Sequence, residues 1–212
     1  PGTGLAYLPA QNIPINQMDD KNWTPDSNIP GQPFSGLGWN TGILVNTRPP
    51  TSKPFGRLLA WDPVAQKEAW RVEQISPWNG GTLTSAGNLV FQGTADGRFM
   101  AYNAKTGAKL WESPVGTGIV AAPVTYEVEG VQFVSIAVGW GGVYGLAQRA
   151  TERQGPGTVY TYALGGHTPL PEAAVYAMGT LVSGVKYDPA QVQQGTLLYV
   201  SNCIFCHGVP GV

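Results

Sequence analysis

Near the C-terminal end of the chain, Cys203, Ile204, Phe205, Cys206 and His207 form a C-x-x-C-H run. Two thiols at this spacing sit on one turn. They can add across the two vinyl groups of a haem, and the histidine that follows can turn its imidazole to the iron as an axial ligand. Low-spin iron between strong axial ligands changes oxidation state with little rearrangement, which suits one-electron transfer. Two other chemistries use C-x-x-C. A thioredoxin-like dithiol wants a preceding strand and a βα unit, and none is evident. A zinc site needs four ligands, and His167 is the only further candidate. The chain has 2 Cys, both in the run, so no structural disulfide competes for them. A thioether-linked haem is attached in an exported compartment, which gives the expectation of a periplasmic location. Met18, Met100 and Met178 all precede the motif, so none stands where a later helix would supply a sixth ligand.

The elements before the motif must hold a partner for that electron. Asp188-Pro189 reads as a helix start: the aspartate caps free N–H groups and proline suits the first turn. Val192, Tyr199 and Cys203 then recur at spacings that fit one helical face, with Leu198 beside them. Residues 165–172, Gly-Gly-His-Thr-Pro-Leu-Pro-Glu, read as a linker.

Upstream lies a repeat. GRLLAWD at 56–62 returns as GRFMAYN at 97–103, and Trp70 returns as Trp111, all at an offset of 41 residues. Each copy reads as strand, tight turn, strand. Further short strands fall at 89–93, 131–138 and 158–164, and residues 5–9 read as another. A period of this length with roughly four short strands is the pattern of a β-propeller blade. Such a blade cannot bury both faces alone, and a tryptophan at a fixed place in each unit fills the gap to the next. A pair of similar hairpins in a sandwich is the plainer alternative. The fold expectation is therefore all-β: part of a propeller over 1–165, a linker over 166–187, and the first helix of an α-helical cytochrome c domain over 188–212. Residues 10–55, rich in Pro, Asn, Gly and Ser, read as a long irregular excursion.

Composition agrees with a turn-rich β protein. The 212 residues include 29 Gly, 18 Pro and 7 Trp, and only 12% are charged. With 12 Lys and Arg against 13 Asp and Glu, the formal net charge is −1. That balance gives no basic surface for nucleic acid or an anionic membrane. No apolar run is long enough for a transmembrane helix. The abrupt start at Pro1-Gly2-Thr3-Gly4 and the few residues after the motif lead to the expectation that this is an internal piece of a longer protein.

A propeller running into C-x-x-C-H is an uncommon combination. Together with LAYLPAQN (5–12), KPFGRLLAWDP (53–63), PWNGGTLT (77–84), QGTADGR (92–98) and VGWGGVYG (138–145), it makes the whole chain resemble the quinohaemoprotein alcohol dehydrogenases. The units ending in Trp70 and Trp111 look like that family's tryptophan-docking motifs. The resemblance implies an eight-bladed ring with pyrroloquinoline quinone (PQQ) near its axis. It implies a small primary alcohol oxidised to an aldehyde, calcium polarising the quinone, an aspartate base, and transfer through haem c to an external acceptor such as a small copper protein or a quinone. A polyol or a cyclic ether alcohol as substrate, a membrane-complex version with partner subunits, and a non-enzymatic propeller–cytochrome electron carrier are the other readings. By the same resemblance the catalytic aspartate, the calcium ligands, the vicinal disulfide and the tryptophan under the quinone fall upstream of Pro1. No catalytic residue is therefore expected in this chain. The residues expected at the quinone are Trp78 and Asn79, then Trp140 and Val143 in a second Gly-rich turn. Asn offers a donor and an acceptor, and Gly80-Gly81 would let backbone approach closely. The alternative for Trp78 and Trp140 is packing between blades. Cys203, Cys206 and His207 are expected to hold the haem, with His207 on the iron. Asp19 and Asp20 read as a solvated acidic pair, and His167 as exposed.

Overall fold

The computed structural model describes residues 2–14, 17–19, 21, 43–45, 55–139, 157–172 and 188–202. They fall into two compact units, Pro1–Ile13 with Pro54–Ala177, and Pro14–Lys53 with Met178–Val212.

The first unit is a stack of antiparallel sheets. In chain order its strands are β1 (Ala6–Asn12), β4 (Phe55–Asp62), β5 (Lys67–Gln74), β6 (Asn79–Thr84), β7 (Leu89–Thr94), β8 (Arg98–Asn103), β9 (Lys109–Pro114), β10 (Val124–Val128), β11 (Val131–Val138) and β12 (Thr158–Ala163). The second unit holds β2 (Gln17–Asp19) paired with β3 (Ile43–Val45), and the helix α1 (Pro189–Asn202). Three sheets form the stack: β1-β4-β5, then β6-β7-β8-β9, then β10-β11-β12.

The repeat seen in the sequence is geometric as well. Each of the first two sheets carries a β-bulge, between Ala60 and Trp61 and between Ala101 and Tyr102, at matching positions of the two copies. Asp62 Oδ1 accepts from the amides of Val64 and Ala65, both at 2.9 Å. Asn103 Oδ1 does the same for Lys105 and Thr106, at 2.9 and 3.2 Å. These Asx turns reverse the chain at the same point of each blade. The last turn residue has positive φ in both copies, 52° at Gln66 and 74° at Gly107.

Burial follows strand alternation. Along β4, Leu58 and Ala60 are buried while their neighbours are partly covered. Two cores result. Between the first and second sheets lie Tyr7, Leu58, Ala60, Val90, Met100, Tyr102 and Ala104, with Trp70 and Val72 against them. Phe99, Val115, Ile119, Ile136 and Val138 lie between the second and third. Each sheet thus buries a face only by meeting its neighbour, as blades do. Met100 is fully enclosed in the first of these cores, which accounts for it as packing.

Trp70 shows why the repeat keeps tryptophan. Its indole lies on the turn of the next sheet, where a Cβ at Gly107 would meet ring carbons at 2.6 and 2.8 Å. Its Nε1–H donates to the carbonyl of Ala104 at 3.0 Å, and Tyr7 Oη donates to the same oxygen at 2.9 Å. Both lone pairs of a buried carbonyl are filled from the neighbouring sheet. Trp111 contacts Tyr162 and Phe99 edge-on, with ring centroids 5.1 and 5.8 Å apart. It therefore joins the second sheet to the third.

The helix α1 begins as its sequence requires: Asp188 Oδ1 accepts from the Ala190 amide at 2.9 Å, and Pro189 takes the first position. Its Val192, Leu197 and Leu198 side chains are exposed.

Candidate functional site

Strand direction sorts the connections onto two ends. β6 starts, β7 stops, β8 starts and β9 stops at one end, called the upper end. There lie the 75–78 connection, the 95–97 turn, the 115–123 crossover and Gly139 after β11. The excursion between β1 and β4 has its base at the same end, because Asn12 pairs with Phe55 while Ala6 pairs with Trp61 at the other. The opposite end has the short hairpin turns, including the one at Glu129 and Gly130, both at positive φ.

Trp78 and Asn79 are at the upper end, at the entry to β6. Ser76 and Pro77 are buried and Trp78 is half-buried. The Trp78 amide donates to Ser76 Oγ at 3.4 Å. Asn79 turns one donor and one acceptor of its carboxamide to the protein: Nδ2–H donates to the Ser76 carbonyl at 2.8 Å, and Oδ1 accepts from the Ala95 amide at 3.3 Å. Gly56 leaves room for this, since a Cβ there would meet Asn79 Nδ2 at 2.7 Å and Pro77 Cα at 2.9 Å.

The glycines act differently from the sequence expectation. Gly80 and Gly81 admit the crossover, not a ligand: a Cβ on them would meet the Ala121 carbonyl oxygen at 2.5 Å and Ala122 Cβ at 2.7 Å. The crossover is locked onto the 94–97 turn, with the Val115 amide donating to Gly97 O at 2.8 Å and the Ile119 amide to Thr94 O at 3.0 Å. The Gly139 amide donates to Gly118 O at 3.0 Å, which ties the end of β11 to the same crossover.

Polar groups line this part of the stack. Gln74 Nε2–H reaches Gln92 Oε1 at 3.2 Å and Tyr102 Oη at 3.3 Å, and Gln92 Nε2–H reaches Gly80 O at 3.2 Å. Tyr102 Oη donates to Met100 Sδ at 3.0 Å. Burial pushes the Tyr102 phenol up from its ordinary pKa, with the Gln74 hydrogen bond opposing. Arg98 holds Asp96 through two contacts, 2.6 and 3.2 Å, across the Gly97 turn. This charge-assisted hydrogen bonding raises the guanidinium's already high pKa. The Thr117 hydroxyl, in the crossover, is buried and has no hydrogen-bond partner among the described residues. Sequence reasoning missed Gln74, Gln92 and Thr117. Only the position of Gln92 inside the QGTADGR run hinted at a role.

The upper end therefore fits one wall of a site for a polar, planar group. Trp78 is half-buried there, and the buried Thr117 hydroxyl lacks a hydrogen-bond partner among the described residues. Trp140 and Val143 lie outside the described residues, as do Cys203, Cys206 and His207. Gly139, just before Trp140, is described at this end. α1 reaches Asn202, the residue before the first cysteine. Among the other candidates, Asp19 is exposed and pairs with Lys21 at 3.5 Å, and His167 is exposed. No group of three or more His, Cys, Asp or Glu among the described residues could hold a metal ion. No helix among the described residues is long and apolar enough to cross a membrane.

Stacked antiparallel sheets, a repeated register of bulge, Asx turn and tryptophan, and loops gathered at one end define part of a β-propeller. Residues 14–134 match the family model for the glucose/ethanol/alcohol dehydrogenase (PQQ) β-propeller domain, and the chain belongs to that family. It is 69% identical over 212 residues to the quinohemoprotein alcohol dehydrogenase of Comamonas testosteroni, covering 100% of this chain and 30% of that protein. It is 64% identical to the 1-butanol dehydrogenase (cytochrome c) of Thauera butanivorans, over 100% of this chain and 31% of that one. The crystal structure of the Comamonas testosteroni protein superimposes with a TM-score of 0.78, over 99% of this chain and 30% of that chain. The chain thus spans about 30% of the length of these curated relatives.

Proposed function

We propose that the intact protein oxidises small primary alcohols to aldehydes with PQQ, and that its electrons leave through a haem c held by this chain. The observation that carries the reading is that one chain joins tryptophan-pinned propeller blades of the quinoprotein family to a C-x-x-C-H run. When bound, the quinone supplies a two-electron acceptor and the haem a one-electron relay.

This chain's residues have limited tasks. Cys203 and Cys206 would tether the porphyrin by thioether bonds, and His207 would ligate the iron. Trp78 and Asn79 would face the quinone from the upper end, with Trp140 and Val143 as the further residues proposed for that contact. The excursion over 10–55, whose base is at the same end, shapes the substrate entrance. Calcium, if bound, would polarise the quinone, and no residue of this chain is proposed as its ligand or as the base that takes the alcohol proton. Residues 1–165 form the blades, 166–187 the linker, and 188–212 the start of the cytochrome domain. Thioether attachment of a haem supports a periplasmic location, with a small copper protein or a quinone as the proposed electron acceptor.

The name of the Thauera butanivorans relative favours a short aliphatic alcohol as substrate. The test is a substrate panel on the intact protein: 1-butanol, a polyol and a cyclic ether alcohol, each with and without added PQQ and Ca²⁺. PQQ-dependent aldehyde formation greatest with 1-butanol is the expected result. Turnover that does not need PQQ, or none with any alcohol, would reject the reading.

A further inference from the structure

We infer that Asn79 is the positioning residue of the Trp78 loop, acting on the quinone through Trp78 and not by touching it. The inference rests on the reading that this loop faces the quinone. Three observations carry it. The Asn79 amide bridges two separate connections: its Nδ2–H holds the Ser76 carbonyl on one side of Trp78, and its Oδ1 holds the Ala95 amide in the 95–97 turn. Those two bonds fix the plane of the carboxamide, with donor and acceptor facing opposite partners. The space beside it is already filled, because the Gly56 backbone presses on Ser76, Pro77 and Asn79 closely enough that no side chain fits there.

The consequence is mechanical. Trp78 lies between Ser76, held by the latch, and Asn79, which opens β6. The Ala95 end of the latch belongs to a turn that is itself pinned: Thr94 Oγ1 accepts from the Arg98 amide at 3.3 Å, and Asp96 grips Arg98. Trp78 is thereby referenced to the rigid middle sheet. Gly56, the second residue of β4, packs against the same latch.

The experiment uses the intact haem-containing protein as wild type, Trp78→Ala, Asn79→Ala and the double variant. Two quantities are read: the Kd for PQQ by equilibrium dialysis, and hydrogen exchange at the Ala95 amide without cofactor. Positioning predicts that Asn79→Ala weakens PQQ by roughly tenfold, the scale of one lost buried hydrogen bond. It predicts faster exchange at Ala95. In the Trp78→Ala background, Asn79→Ala should change the Kd by less than about twofold, because its route to the quinone is gone. Gly56→Ala, which pushes the same loop from the other side, should weaken PQQ without altering any polar group. Asn79→Asp keeps an acceptor for Ala95 but sets a carboxylate oxygen against the Ser76 carbonyl, so Ala95 should stay protected while PQQ affinity falls.

Penalties that multiply in the double variant would show direct ligation by Asn79 and overturn the inference. So would an Ala95 amide that remains protected in Asn79→Ala. An unchanged Kd in Trp78→Ala has a separate signature: it removes the parent reading that this loop faces the quinone, whatever the Ala95 amide does.

Discussion

Replacing Gly107 with alanine tests the contact that joins the first blade to the second. Gly107 has φ +74°, and its missing side chain is the seat of the Trp70 indole. Two costs follow. A non-glycine residue in the left-handed region costs about 1–2 kcal/mol. The new methyl would overlap ring carbons at 2.6 and 2.8 Å, so Trp70 must lift and strain its bond to the Ala104 carbonyl. Overpacking of this kind adds about 1–3 kcal/mol. The expected loss is therefore about 2–5 kcal/mol in chemical denaturation of the intact protein. The same change in a Trp70→Ala background should cost only about 1–2 kcal/mol, since nothing remains to be displaced. An equal penalty in both backgrounds would refute the seating of Trp70 on this turn. If unfolding is irreversible, inactivation half-lives at one temperature carry the same comparison.

The equivalent position one repeat earlier predicts the opposite sign. Gln66 has φ 52° and is exposed. Gln66→Gly should therefore raise stability by up to about 1 kcal/mol in the same assay. Thr117→Val removes a buried hydroxyl lacking a partner among the described residues. It should stabilise the cofactor-free protein by about 1 kcal/mol, and a loss of stability would mean the hydroxyl is bonded after all. Burial raises the pKa of both Tyr102 and Tyr162, so the native state keeps these protons longer than the unfolded chain. Above the unfolded value, about 10, the unfolded state then binds fewer protons and stability falls with rising pH. The contribution is fully present below that pH and is lost as pH climbs through the folded values. Urea midpoints from pH 8 to 11 should decline, and less steeply in Tyr102→Phe.

Much of this architecture can be read from residue types because it depends on local chemistry. Asp62 and Asn103 announce their turns, since a short polar side chain can cap its own backbone two and three residues on. Asp188-Pro189 marks the start of α1 for a similar reason. The strand Val131–Val138 has the boundaries that its composition suggests, while the strand read over 5–9 runs instead over Ala6–Asn12, into the stretch read as irregular. What was not legible depends on neighbours distant in sequence. Gly80 and Gly81 look like a cradle for a ligand, yet their open side is filled by Ala121 and Ala122, from the crossover that follows β9, three strands later. Asn79 looks like a ligand because it is polar beside glycines. Only the fold brings Ser76 O and Ala95 N to the two ends of its amide. The Gln74–Gln92–Tyr102 network is equally hidden, because glutamine inside a strand carries no local signal that it will be buried.

Electrons taken from an alcohol at the propeller should reach a haem tethered to Cys203 and Cys206. The direct measurement is anaerobic mixing of the oxidised intact protein, loaded with PQQ and Ca²⁺, with 1-butanol while the haem spectrum is followed. A Soret shift and growth of the reduced α band in step with aldehyde are expected, both lost in Cys203→Ser/Cys206→Ser protein that carries no haem. A protein with free thiols and no Soret band, or a haem that stays oxidised while aldehyde accumulates, would contradict this route.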